Sequence, residues 1–281
     1  MLTPELTAVL FGSLSALCWG TGDFCGGLAS RRTNLFLVIT VSQFAGLALL
    51  VFIALLSAEP LPVPTDLLLG ALAGLAGTAG LAALYAGLVG GKMGIAAPVA
   101  AVVSAAIPVA LVAALEGLPS PVQTAGLVIG LFAIWFLSGI GLPHRGPNDP
   151  LWLPFLAGFG FAAFYIIIDQ VSSRSVYWPL VAARTASAVM MLLIVLWRGY
   201  GSKPAPAQLR LMILTGIFEI GGSTFYALSA RAGRLDIAVV LVSLFPAATV
   251  LLARTVLHEK LNRIQIAGVA LALLALILIA L

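Results

Sequence analysis

Four ionisable residues lie within otherwise apolar stretches of this sequence: Asp23, Asp169, Arg184 and Glu219. A charge at the centre of a membrane-spanning helix costs about 2.5–3.5 kcal/mol on insertion scales, so each residue should face a cavity or a partner of opposite charge. Glu219 is the deepest acid, in the segment LTGIFEIGGSTFYALS. It could bind a substrate amine or a proton, or form an ion pair with Arg184 that fixes two helices. These possibilities are compatible, since a pair inside a cavity can open on binding.

The surroundings of these charges predict a membrane protein. The chain has 281 residues, of which 62% are hydrophobic and 9% charged, whereas soluble domains carry about 25% charged residues. Helices are expected, because backbone groups in lipid must pair within their own segment. Each apolar run can cross about 30 Å of hydrocarbon as a helix. The sequence therefore predicts an all-α integral membrane protein whose main partner is the lipid bilayer. We predict ten transmembrane helices, near 7–29, 33–57, 66–89, 94–115, 121–141, 151–171, 176–198, 207–230, 236–257 and 262–281.

The two halves of the sequence resemble each other. Residues 92–126 align with residues 234–268 at an offset of 142, and an offset of 146 brings Asp23 onto Asp169. Five helices per repeat is an odd number, so the second repeat must insert upside down relative to the first. Inverted repeats are typical of secondary transporters, whose sites lie near the bilayer midplane between the repeats.

These observations divide the chain into two units and a connection. The longest polar break, GLPHRGPNDP, is rich in proline and lies at the middle of the sequence. We predict a first five-helix repeat over 1–141, a linker over 142–150, and a second, inverted five-helix repeat over 151–281, arranged around a central cavity.

Several function classes are disfavoured. The net charge of +4 comes from scattered basic residues, not from a clustered stripe that would bind nucleic acid. We find no GxxxxGK[ST] loop for a nucleotide, and the two histidines form no HExxH metal motif. We expect no metal site, no cofactor and no nucleic-acid partner.

One rival is an intramembrane aspartyl protease, because GTGD at Gly20 to Asp23 fits the GxGD pattern of such enzymes. That chemistry needs two carboxylates that share a proton and a water. In inverted repeats Asp23 and Asp169 lie near opposite membrane faces, at least about 12 Å apart. We therefore predict that the protein is not an enzyme and has no catalytic residues, with the protease as a remote alternative.

The sequence is similar to the drug/metabolite transporter superfamily, EamA-like branch. The similarity covers nearly the whole chain and is carried by the ten-helix pattern, by Trp19 and Gly20 near the end of the first span, and by the stretch from Pro246 to Glu259, followed by RIQIAG. It implies a basket of helices around a central cavity, lined mostly by helices 1, 3, 4, 6, 8 and 9, that carries small metabolites by alternating access. The family includes amino-acid exporters, sugar and nucleotide-sugar carriers and drug exporters.

Candidate site residues follow from the buried charges, the repeat and the aromatic residues near the helix ends. Gln43 aligns with Arg184 at an offset of 141. Asp23 and Asp169 are predicted to be gate or coupling residues, each within reach of an arginine at its mouth, Arg31 or Arg174. We expect the cavity and the substrate to be contacted by Glu219, Arg184, Gln43, Tyr85, Tyr226 and Trp19.

These features predict a secondary transporter that moves a small organic metabolite, an amino acid or similar, across the cytoplasmic membrane by alternating access, in the direction of export. The alternatives are a sugar or drug carrier of the same fold, a channel, or an assembly protein. Protons are a candidate coupling ion, and a monomer and a homodimer both remain open.

Three Lys or Arg residues lie in loops on the side of the termini and ten on the other side. The positive-inside rule then places the termini outside, whereas the family resemblance suggests inside.

Overall fold

The computed structural model shows a bundle of apolar helices. It describes residues 3–57, 59–60, 62–89, 93–115, 117, 119–137, 152–172, 175–200, 203–256 and 263–280. This part of the chain contains helices and connections but no β-strand. The predicted linker, 142–150, and Arg174 lie outside the described residues. The helices are α1 (Pro4–Ser30), α2 (Leu35–Leu56), α3 (Pro64–Val89), α4 (Met93–Leu115), α5 (Pro121–Leu137), α6 (Trp152–Ser172), α7 (Tyr177–Arg198), α8 (Pro206–Ala232), α9 (Leu235–Val242), α10 (Phe245–Val256) and α11 (Arg263–Ala280).

Six of these helices, α1, α2, α3, α6, α7 and α8, are long and apolar enough to cross a membrane. Shorter apolar helical stretches cover Ala100–Leu115, Pro121–Ala133 and Leu235–Thr249. Large apolar side chains point outward, with Phe52 60% and Leu196 68% exposed. A water-facing surface rarely carries so much contiguous apolar area, and lipid accommodates it without cost. The prediction of an all-helical membrane protein is confirmed at this level.

The ninth predicted span, 236–257, is divided into the two helices α9 and α10. Ser243 and Leu244 form a turn between them, and Pro246 follows in the first turn of α10. Proline has no backbone N–H to donate to the residue four positions earlier, and its ring crowds that residue's carbonyl. A continuous helix through Val242 is therefore unfavourable, and the chain turns before it resumes. The break brings Phe245 to the centre of the bundle.

The contacts between the two halves are symmetric. If α1 to α5 are matched in order with α6, α7, α8, the α9–α10 pair and α11, each large contact has a counterpart between the matching helices. Helix α1 packs on α8 as α3 packs on α6, and α2 packs on α8 as α3 packs on α7. Helix α4 packs on α6 as the α9–α10 pair packs on α1. The remaining large contacts join equivalent helices, α2 with α7 and α5 with α11.

The closest helix crossings use glycine at equivalent positions. The backbone of Gly74 in α3 lies against the carbonyl group of Ala183 in α7. The backbone of Gly216 in α8 lies against the carbonyl group of Ser42 in α2. The glycines differ by 142 positions and their partners by 141, which are offsets that the sequence comparison also uses. Small residues allow helices in lipid to approach this closely.

Helix α7 is capped by a residue from the other half of the chain. Val176, at the N-terminal end of α7, makes no side-chain capping bond. The Glu59 carboxylate instead accepts hydrogen bonds from the backbone N–H groups of Val176 at 3.1 Å and Tyr177 at 3.0 Å, and from the Ser175 hydroxyl at 2.9 Å. A negative charge at a helix N-terminus satisfies free N–H groups and is favoured by the helix dipole.

We therefore expect Glu59→Gln to lower the free energy of unfolding by about 1–2 kcal/mol, because the amide has no negative charge for the helix N-terminus and replaces one carboxylate oxygen by an NH2 group that cannot accept a hydrogen bond. Thermal unfolding of the purified protein in detergent measures the change. Glu5→Gln is the matched control, since Glu5 is an exposed acid in the first turn of α1. Equal melting temperatures for the two variants would show that the cap contributes nothing particular.

Candidate functional site: a polar cavity between the two halves

A cavity lies at the centre of the bundle, between the middle parts of α1, α2, α3, α6, α7 and α8 and the first residue of α10. It holds about 600 Å³ of space free of atoms, including its open part. The family resemblance placed the fourth helix at the cavity, but α4 contributes no lining residue among those described, whereas α2 and α7 do. The polar lining residues are Asp23, Gln43, Thr78, Arg184, Ser187, Glu219 and Ser223.

Arg184 is the centre of the polar network. Its Nη1 donates to Gln43 Oε1 at 2.8 Å. Its Nη2 donates to Ser223 Oγ at 2.9 Å and to the Glu219 backbone oxygen at 3.0 Å. The ion pair with the Glu219 carboxylate is longer, at 3.5 Å from Nη2 to Oε2. The predicted pairing of Arg184 with Glu219 is therefore present, and it links α7 to α8.

The network continues from Gln43 through hydroxyl groups. Gln43 Nε2 faces Thr78 Oγ1 at 3.5 Å, and Thr78 Oγ1 donates to Ser187 Oγ at 2.7 Å. The Ser187 hydroxyl in turn reaches the backbone oxygens of Ala183 at 2.8 Å and Gly74 at 2.9 Å. All of these polar side chains are buried. Unpaired polar groups are costly in such surroundings, so a network that is almost fully paired holds its members in fixed positions.

Asp23 differs from the other charged groups of the cavity. It lines the cavity and is only partly buried. Within the described part of the chain its carboxylate has neither a hydrogen bond nor an ion pair. The predicted pairing with Arg31 is wrong, because eight residues of continuous helix place Arg31 about 12 Å further along the axis.

The glycines around Asp23 have separate packing roles. A Cβ on Gly20 would collide with the Phe245 carbonyl oxygen at the break between α9 and α10, and one on Gly26 with the Tyr85 hydroxyl. A Cβ on Gly22 would lie 3.5 Å from Glu219 Cγ, so this turn of α1 passes beside Glu219. The absence of side chains thus lets α1 approach three other helices around Asp23.

Aromatic side chains form one wall of the cavity. The Trp19 ring centroid lies 6.1 Å from that of Phe164 and 5.7 Å from that of Tyr165. A Cβ on Gly222 would collide with the Trp19 indole, so this glycine of α8 leaves room for the ring. The aromatic lining residues are Trp19, Phe161, Phe164, Tyr165 and Phe245.

Two pairs of residues from equivalent positions in the halves meet at the cavity. Gln43 and Arg184, which differ by 141 positions, are joined by the 2.8 Å hydrogen bond. Trp19 and Tyr165 differ by 146 positions, the offset that relates Asp23 to Asp169, and their rings are in contact. The cavity therefore lies where equivalent parts of the two halves face each other.

Five of the eight predicted site residues line the cavity, namely Trp19, Asp23, Gln43, Arg184 and Glu219. The other three do not. Tyr226 is fully buried behind Trp19, where its hydroxyl donates to the Tyr165 backbone oxygen at 2.6 Å. Tyr85 is fully buried against Gly26. Asp169 lies near the end of α6, away from the lining, and has interactions of its own.

Thr78, Ser187, Phe161 and Phe245 also line the cavity, and none of them is among the predicted site residues. Ser187 follows Arg184 by three residues and so shares its helix face, which is a signal that could have identified it. Thr78 is a lone polar residue near the middle of α3, and the same argument from buried polarity applies to it. Phe245 could not be placed, because its position depends on the break between α9 and α10.

The arrangement defines a helical membrane protein with a polar cavity at its centre. The model of the EamA-like transporter family matches the chain twice, over residues 6–139 and 150–281. The chain therefore belongs to the EamA-like transporter family, which confirms the resemblance read from the sequence. The family consists of membrane transporters of small substrates, not of enzymes.

The chain was also compared with solved structures and with curated proteins. A crystal structure described only as "Crystal structure of protein" has a TM-score of 0.77 and 18% sequence identity, and the match covers 96% of this chain and 95% of the other. At that identity the likeness shows a shared fold alone. No curated protein matches the chain.

Proposed function

We propose that the protein is a secondary transporter that moves a small organic metabolite, an amino acid or similar, across the cytoplasmic membrane by alternating access, in the direction of export. The observation that carries this proposal is the central cavity, where a buried Arg184–Glu219 pair and an unpaired Asp23 face open space within an apolar bundle. Charge is expensive at this depth in a membrane, and such residues typically mark a substrate or ion pathway.

Two inverted five-helix repeats, built from ten transmembrane helices, would supply the moving parts. The exchange symmetry of the helix contacts and the equivalent residues that meet at the cavity support this organisation. The two separate matches of the family model, over 6–139 and 150–281, support a division into two repeats. Rocking of one half against the other about the cavity would expose it alternately to the two sides.

Within this mechanism Arg184, Glu219, Gln43 and Trp19 would contact the substrate. The hydrogen bonds among Gln43, Arg184 and Glu219 join α2, α7 and α8. A ligand that competes for the 3.5 Å contact between Arg184 and Glu219 would therefore change the packing of helices from both halves. Asp23 and Asp169 would control access or coupling, with protons as the candidate ion. A ligand shifts such an equilibrium only by its difference in affinity for the two states.

Uptake into proteoliposomes tests the proposal. We expect saturable flux of at least one member of a panel of amines, amino acids, sugars and nucleosides. Glu219→Gln should lower the initial rate about tenfold or more while the protein remains folded, because one acceptor oxygen and the bond to the Glu219 backbone oxygen are kept. Glu5→Gln provides the matched control. Unchanged kinetics for Glu219→Gln would remove Glu219 from the substrate site, and flux that rises linearly with concentration would indicate a channel.

A further inference from the structure

The charges of the cavity do not balance. Asp23, Arg184 and Glu219 are the acidic and basic residues of its lining. Arg184 and Glu219 neutralise each other through their ion pair. Asp23 remains, without a protein partner in the described part of the chain. The lining thus contains two carboxyl groups and one guanidinium group, so a bound cation would balance them.

The positive group of the cavity is already engaged by the protein. The two terminal nitrogens of Arg184 contact four acceptor atoms, on Gln43, Glu219 and Ser223. An anionic ligand would have to displace Glu219 from this site and leave a second carboxylate without a partner. Stranding a buried charge in this way is strongly unfavourable. A cationic ligand meets no such obstacle at Asp23.

The surroundings of Asp23 suit the apolar part of a cation. Trp19 lies one helical turn before Asp23 on α1, so the two side chains share a face. The indole is in contact with the rings of Phe164 and Tyr165, which belong to the same aromatic wall. Aromatic faces attract ammonium groups, and the attraction is stronger where water is excluded. Acid and aromatic wall are thus adjacent on the same side of the cavity.

We propose that the cavity selects an organic cation, a small amine whose ammonium group pairs with Asp23 and whose apolar part contacts Trp19, Phe164 and Tyr165. The proposal rests on the transport function proposed above and, among its small organic metabolites, favours amines over the amino acids named there. An amino acid brings a carboxylate together with its ammonium group, so it adds no net positive charge and is the poorer ligand.

Three probes that share a phenyl ring and a short chain test the inference by calorimetric titration of the full-length protein in detergent. They are phenethylamine (a cation), phenylalanine (a zwitterion) and hydrocinnamate (an anion). We expect phenethylamine to bind at least about tenfold more tightly than phenylalanine, and hydrocinnamate not to bind measurably. Phenylalanine affinity equal to or above that of phenethylamine, or no saturable phenethylamine binding at millimolar concentration, would overturn the inference.

A substitution locates the selectivity. Asp23→Asn should weaken phenethylamine binding about tenfold or more and reduce the preference over phenylalanine. Glu5→Gln, an exposed charge loss on the same helix, should change neither value. Full affinity in Asp23→Asn contradicts the assignment. If Asp23→Asn fails to fold, the relative affinities of the unsubstituted protein for the three probes still test the preference for a cation.

The same protein in proteoliposomes separates this inference from the transport function. Saturable flux of zwitterions or anions without flux of amines would sustain transport and refute the cation site. Specific amine binding in a protein that moves no solute would sustain the site and refute transport.

Discussion

Arg184→Met is expected to abolish transport and to lower the free energy of unfolding by about 3 kcal/mol or more. The substitution keeps an unbranched, flexible side chain, although a shorter one, and removes the charge. Glu219 then loses its cationic partner, and Gln43 Oε1 and Ser223 Oγ lose a donor. The cost is large because the side chains that Arg184 holds are buried. Thermal unfolding in detergent and initial flux in proteoliposomes measure the two effects.

The double variant Arg184→Met/Glu219→Leu separates the structural role of the pair from its functional one. Replacement of both members of a buried ion pair by apolar residues is often neutral for stability. We expect the double variant to recover most of the lost stability but none of the transport. If transport returned together with stability, the pair would serve only to hold α7 and α8 together.

Gly74→Ala and Gly216→Ala are expected to lower stability by roughly 1–3 kcal/mol or to prevent assembly, since both insert a methyl group into a helix crossing. A Cβ on Gly74 would lie 2.5 Å from the carbonyl carbon of Ala183. One on Gly216 would lie 2.9 Å from the Gly46 nitrogen and collide with the Ser42 carbonyl oxygen. Both obstacles are backbone, so the helices must separate to make room.

The sign of the stability change in these two variants distinguishes the effect of helix packing from that of helix propensity. Alanine favours a helix over glycine by up to about 1 kcal/mol, so propensity alone predicts that both variants are more stable. Gly22→Ala is the matched control, because its added Cβ would lie 3.4 Å from Phe218 Cβ, an ordinary contact. Melting temperatures should fall for Gly74→Ala and Gly216→Ala and stay level or rise for Gly22→Ala. A rise in all three would mean that the helices are not packed as closely as described.

Burial of charge was the most informative sequence signal. Asp23, Arg184 and Glu219 were expected to face a cavity because lipid excludes them, and all three line the same cavity. This expectation did not require the orientation of each helix, because a charged side chain in a lipid-embedded bundle can avoid lipid only by facing a cavity or a partner. Gln43 was found through its alignment with Arg184, and the two side chains are hydrogen-bonded.

The aromatic residues show where sequence reasoning stopped. Tyr85 and Tyr226 were expected at the cavity because they belong to the aromatic residues near the helix ends. Helix rotation decides whether such a ring faces the cavity or the protein interior, and both tyrosines face the interior. Strong hydrophobicity on every face of the helices removes the amphipathic pattern from which rotation is normally inferred.

Two other features depend on contacts between distant parts of the chain. Glu59 caps α7 across more than a hundred positions, whereas capping motifs in sequence are local. The division of the ninth predicted span was easier to predict from the sequence, because Pro246 lies in the middle of that span and proline interrupts helices. Its consequence, the approach of Gly20 to the Phe245 carbonyl group, required the three-dimensional packing of α1.

The central claim is that one cavity is exposed alternately to the two sides of the membrane, and counterflow tests it most directly. Proteoliposomes are loaded with a millimolar unlabelled solute from the panel, phenethylamine first, diluted into micromolar labelled solute, and held at zero membrane potential. We expect a transient rise of internal label above its external concentration, and we expect Arg184→Met/Glu219→Leu to abolish it. Label that only approaches the external concentration, whatever solute is loaded inside, would contradict alternating access.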